Sequence, residues 1–78
     1  METTLSELRD GERGAVTRLE LAGPTKRRLI EMGITPGTRV QAMKRAPLGD
    51  PIEIMLRGYT LTLRAEDARR IFVRRDGA

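Results

Sequence analysis

Seventy-eight residues with no cysteine predict one small domain, spanning 1–78, that has little core and no disulfide to brace it. Histidine is also absent and Ser6 is the lone serine, which excludes thiolate and imidazole metal sites, Ser–His or Cys–His nucleophilic pairs and imidazole acid–base chemistry. The net charge of +4 raises the question of nucleic acid; Lys26-Arg27-Arg28, Arg69-Arg70 and Arg74-Arg75 are dense, but other basic residues are spread along the chain and eleven carboxylates are interleaved with them.

Residues 1–10 are polar apart from Leu5 and Leu8. Thr4 followed by Glu7 has the spacing of a capping box, so one helical turn is expected there, ended by Gly11. The stretch Ala15–Leu21 is rich in strand formers. Val16 and Leu19 are three apart, so burying both requires a bend or bulge near Thr17-Arg18. Gly23-Pro24 opens a short helix over 24–32, with proline suited to the first helical position. Leu29 and Met32 share its inner face, Ile30 lies on the flank, and Gly33 with Ile34 fits a Schellman ending. Thr35-Pro36-Gly37-Thr38 reads as a type II turn into a strand around 38–44, with Val40 and Ala42 inward.

The strongest local signal is the segment 46–63. Ile52, Ile54 and Leu56 alternate with Glu53 and Met55, and Tyr59, Leu61 and Leu63 alternate with threonines. A two-residue loop at Arg57-Gly58 pairs Leu56 with Tyr59, Ile54 with Leu61 and Ile52 with Leu63, all on one buried face. Met55 is expected to face outward. The preceding loop, Ala46-Pro47-Leu48-Gly49-Asp50-Pro51, is stiffened by two prolines, and Asp50 is suited to a local Asx-turn. It is either a plain connection between strands or a preshaped docking loop with Leu48 at its tip. After the hairpin, Ala65–Arg69 reads as a helical turn with acids early and arginines late. Ile71-Phe72-Val73 is a last strand with Phe72 outward, and 74–78 is expected to be a mobile tail.

These pieces resemble the ferrous iron transport protein A (FeoA) family. The resemblance rests on the 46–51 loop entering the hairpin, Arg28-Leu29-Ile30-Glu31-Met32-Gly33-Ile34, Pro36-Gly37 with Val40 behind it, and Leu63-Arg64 with Ala68 and Ile71-Phe72-Val73. It runs from about Leu8 to Val73. The expected fold is mainly β, a small SH3-like five-stranded barrel with one inserted short helix over an opening. The resemblance implies a cytoplasmic accessory protein that binds the cytoplasmic, GTPase-bearing region of a FeoB-type ferrous iron transporter and supports Fe(II) uptake, peripheral to the inner membrane through that partner. The expected contact residues are Ile30, Pro47, Leu48, Gly49, Asp50 and Pro51.

Two other readings compete with this one. A small basic barrel suits nucleic acid, yet Tyr59 and Phe72 are the only aromatics and Tyr59 is expected inward, so no stacking platform is available and no specific nucleic acid is expected. The other is a free-standing relative of the SH3-like domain of iron-dependent repressors. No catalytic residue, metal or cofactor is expected: the carboxylate pairs Glu66-Asp67 and Asp50 with Glu53 suit capping better than ligation. Neither a membrane-spanning run nor a signal-peptide core occurs in the sequence, so cytoplasmic localisation without membrane insertion is expected, with self-association left open.

Overall fold

The computed structural model describes residues 2–44 and 47–77. Ala46, expected at the start of the docking loop, and Ala78, expected in the tail, lie outside the described residues. Within them, six strands form one antiparallel sheet: β1 (Glu2–Thr4), β2 (Arg13–Leu19), β3 (Arg39–Ala42), β4 (Ile52–Leu56), β5 (Tyr59–Leu63) and β6 (Ile71–Arg75). Their order is β1-β6-β2-β3-β4-β5, which places β1 and β5 at the edges. Helix α1 spans Gly23–Glu31 and α2 spans Ala65–Ala68. Side chains from β4 and from the non-adjacent β6 share one buried cluster with Leu5, Leu8 and Leu29, so the sheet curls around its core.

The hairpin has the register set by its alternation and its two-residue turn. Ile52 faces Leu63, Ile54 faces Leu61 and Leu56 faces Tyr59. Arg57 and Gly58 both have positive φ (49° and 83°), the signature of a type I′ turn, whose twist matches that of the flanking strands. The face is shared but its burial is graded. Ile54 is fully buried and Leu61 half-buried, whereas Tyr59, expected inward, is 44% exposed. Tyr59 sits where the hairpin reaches the end of α1, and its hydroxyl donates to the Met32 carbonyl oxygen. Alternation assigns a side chain to a face; it does not say where the covering layer stops.

The expected bulge is present. The β2–β6 register shifts between Val16 and Arg18, which lets Val16 turn fully inward and Leu19 pack against the core edge. The turn at 35–38 docks onto this bulge: Val16 N–H donates to Thr38 O at 2.9 Å and Gly37 N–H to Val16 O at 2.7 Å. Two residues before Val16, at Gly14, the sheet is too tight for a side chain. A Cβ on Gly14 would lie 2.7 Å from the Arg74 carbonyl oxygen, so only glycine admits the observed approach of β2 to β6.

Helix α1 ends as its sequence predicts. Ile34 N–H donates to Leu29 O and Gly33 N–H to Ile30 O, both at 3.0 Å, with Gly33 at φ +100°. These are the paired bonds of a Schellman motif. Ile34 is then fully buried and Met32 packs at the rim of the core.

Three differences concern the ends of the chain and the outer face. First, the expected turn over Leu5–Glu7 is a 3₁₀ turn in which Glu7 accepts from Thr4 N–H at 3.1 Å, but it is preceded by a strand. Strand β1 pairs with β6 and is fastened to β2 by Glu2, which accepts from Thr17 Oγ1 at 2.6 Å and pairs with Arg18 at 3.0 Å. Secondly, Arg74 and Arg75 belong to β6 instead of a mobile tail. Arg75 pairs with Glu12 at 3.2 Å, and Asp76 N–H donates to Arg13 O at 2.9 Å. Thirdly, Met55 and Phe72 do face outward but are half-buried and do not form one patch, since β2 and β3 separate their strands. Phe72 lies beneath Arg18, whose guanidinium is 3.9 Å from the ring centroid.

Glutamates secure this N-terminal side. Glu2 is held below the ordinary glutamate range chiefly by its hydrogen bond from Arg18, Glu7 by the Thr3 hydroxyl, and Glu12 by the Arg9 N–H. A lowered folded-state pKa contributes stability above the unfolded value and loses it as pH falls through the folded value. The melting temperature is therefore expected to hold level from neutral pH down to about 5 and to fall below about 4, as the unfolded chain takes up protons first. A melting curve unchanged across that range would show that these contacts are matched in the unfolded chain.

Candidate docking surface

The 47–51 segment enters β4 from a well-anchored root, since Met43 N–H donates to Glu53 O at 2.8 Å just beyond the β3–β4 ladder. Pro47 and Pro51 fix their own φ and bias the residues before them, and the Asp50–Pro51 peptide is cis. Pro47, Leu48, Asp50 and Pro51 are exposed, and Gly49 is half-buried. Leu48 is 94% exposed, so it has essentially no packing partner, whereas Ile52, four residues later, is 1% exposed. A fully presented leucine on a proline-restricted loop loses little conformational freedom when a partner covers it.

Asp50 has a structural task that its neighbours lack. The local Asx-turn is replaced by a long-range bond: Asp50 Oδ1 accepts from the Ala65 N–H at 3.0 Å, the first amide of α2. This carboxylate acts as the side-chain cap that Arg64, at the N-cap position, does not supply. Asp50→Ala is expected to lower stability by about 1 kcal/mol, or roughly 4–8 °C in melting temperature, with Asp50→Asn retaining most of it. Thermal melts of the two variants check this; equal losses would show that the charge, not the acceptor, matters.

Ile30 occupies the outer flank of α1 and is 43% exposed. It lines a shallow depression with Gly23, Lys26, Arg27 and Glu31, so an apolar centre is ringed largely by cations. At 94% exposure Leu48 is not packed against Ile30, so the structure does not bring the two expected apolar contacts together. The loop adjoins the Ile52–Leu63 end of the hairpin, whereas the end of α1 adjoins its turn, where a Cβ on Gly33 would approach Leu56 Cδ1 at 3.5 Å. The expected surface is thus two separate patches.

Among the described residues no group of three or more carboxylates is placed to hold a metal ion, and no helix is long and apolar enough to cross a membrane. Two features of the surface have little or no local signature in the sequence. One is the Tyr59–Met32 bond, whose only sequence signal is an aromatic residue beside the hairpin turn. The other is a concentration of arginines on the outer sheet face, gathered by the strand register.

The chain matches the FeoA domain family over residues 3–75. It is 38% identical, over 69 residues, to the Fe(2+) transport protein A/Fe(2+) transporter FeoB fusion protein of Porphyromonas gingivalis. That match covers 88% of this chain and 8% of the relative, so the chain spans a small fraction of the relative's length. Among solved structures, the FeoA protein of Chlorobium tepidum superposes with a TM-score of 0.91 at 37% identity, covering 96% of this chain and 71% of that one. The zinc-complexed FeoA of Stenotrophomonas maltophilia, described as a prokaryotic SH3 domain protein, superposes with a TM-score of 0.79 at 28% identity, covering 92% and 89%.

Proposed function

Because the chain belongs to the FeoA domain family, we propose that it binds the cytoplasmic, GTPase-bearing region of a FeoB-type ferrous iron transporter and supports Fe(II) uptake as an accessory protein. The observation that carries this reading is the Porphyromonas gingivalis relative, in which the matching region and FeoB are parts of one polypeptide. Fusion holds two modules at high effective concentration, which is useful when they act on one another. The protein then sits in the cytoplasm, at the inner membrane only through its partner.

The proposed contacts are Pro47, Leu48, Gly49, Asp50 and Pro51, with Ile30 as a separate apolar point on α1. Leu48 supplies the exposed apolar area, the prolines hold it in place, and Asp50 fastens the loop to α2. Calorimetric titration of this chain against the isolated cytoplasmic region of the transporter, with and without GTP, tests the reading. A saturable complex is expected; no heat at concentrations up to about 100 µM, where a micromolar complex would be nearly complete, would reject it.

A further inference from the structure

Cross-strand register gathers arginines that are far apart in the sequence. Arg13, Gln41 and Met55 stand in one row across β2, β3 and β4. In the next row Ala15 faces Arg39, and Arg57 follows at the hairpin turn, just past the end of the β3–β4 ladder. Arg13, Arg39 and Arg57 thereby rim an open depression on the outer face of the sheet, with Gln41 and Met55 in its floor. Arg39 is paired with Asp76 and remains largely exposed, while Arg13 and Arg57 have no carboxylate partner among the described residues. The one other carboxylate close in register is Glu53, one outward position beyond Met55.

We propose that this depression docks an acidic peptide segment carrying an apolar residue. Guanidinium groups match carboxylates with paired, charge-assisted hydrogen bonds, and three on one rim oppose one internal acid. The thioether of Met55, half-buried between them, offers an adaptable apolar seat. A nucleic-acid strand would use the same cations but needs faces on which to stack. Phe72 is covered by Arg18 and Tyr59 is bound to the end of α1, so neither serves the depression. The site lies at the Met55–Gly58 end of β4, away from the 47–51 loop, and its occupancy does not depend on the transporter reading.

Fluorescence anisotropy of the intact chain tests the proposal, using a labelled glutamate-rich peptide with one leucine, its leucine-free form, and a labelled oligothymidylate. The leucine peptide is expected to bind saturably and to weaken about tenfold or more in Arg13→Glu/Arg57→Glu, since each lost pair is replaced by a repulsion. Arg69→Glu/Arg70→Glu makes the same change in net charge elsewhere and should weaken it no more than about threefold. Met55→Ala should weaken the leucine peptide and spare the leucine-free form. Where the charge reversal disturbs folding, Arg13→Gln/Arg57→Asn serves instead, asparagine tolerating the positive φ of the turn. Equal weakening by both double variants would overturn the proposal, as would tighter binding of oligothymidylate than of the peptide.

Discussion

Leu29→Asp is expected to leave the chain unfolded at room temperature. Leu29 is fully buried on the inner side of α1, within a cluster of apolar side chains. Emptying a core leucine site costs about 2–5 kcal/mol by itself, and desolvating an unpaired carboxyl group adds to that. The whole stability of a domain this size is only about 4–12 kcal/mol. Far-UV circular dichroism and proton amide dispersion should both show loss of the fold, while Leu29→Met, which keeps the volume, should cost less than about 1.5 kcal/mol. A folded Leu29→Asp protein would mean that α1 can lift from the sheet without unravelling it.

Leu48→Asp is expected to do the reverse: melt as wild type and lose the transporter. At 94% exposure the side chain contributes nothing to the core, so the substitution opens no cavity and buries no charge in the free protein. In a complex that covers Leu48, the lost apolar burial is about 1.5–3 kcal/mol, or roughly ten- to hundredfold in affinity, before the new charge is counted. Paired melting and calorimetry on the two variants separate folding from docking. If Leu48→Asp binds as wild type, the 47–51 loop is a connector and the contact lies elsewhere.

The hairpin was the most legible part of the chain because two independent constraints agree there: the period-two alternation on each strand and the length of the Arg57-Gly58 turn. The bulge in β2 was legible for a related reason, as Val16 and Leu19 cannot both turn inward in a regular strand. Strand β1 carries no such pattern. Glu2-Thr3-Thr4 has no apolar alternation, and its place depends on the edge of β6 and on the Glu2–Arg18 pair, both distant in sequence. The same limit applies to the candidate surfaces. Exposure of Leu48 followed from its lack of a partner in the strand register, but the tie from Asp50 to Ala65 spans fifteen positions and has no local signature. Arg13, Arg39 and Arg57 look dispersed when read along the chain, and only the sheet register turns them into neighbours.

The β4–β5 hairpin is bracketed by helix ends. At its turn, the Tyr59 hydroxyl donates to the carbonyl of Met32, the C-cap residue of α1; at its open end, Asp50 caps the first amide of α2. Slipping β5 along β4, or fraying either strand end, would strip a cap from a helix and expose the backbone groups it covers. Amide exchange in the hairpin is therefore tied to exchange at both helix termini, so that two loops, two helix ends and two strands form one cooperative unit of local opening. A ligand that grips any member of this unit, whether at Leu48 or at the arginine rim, slows solvent access throughout it.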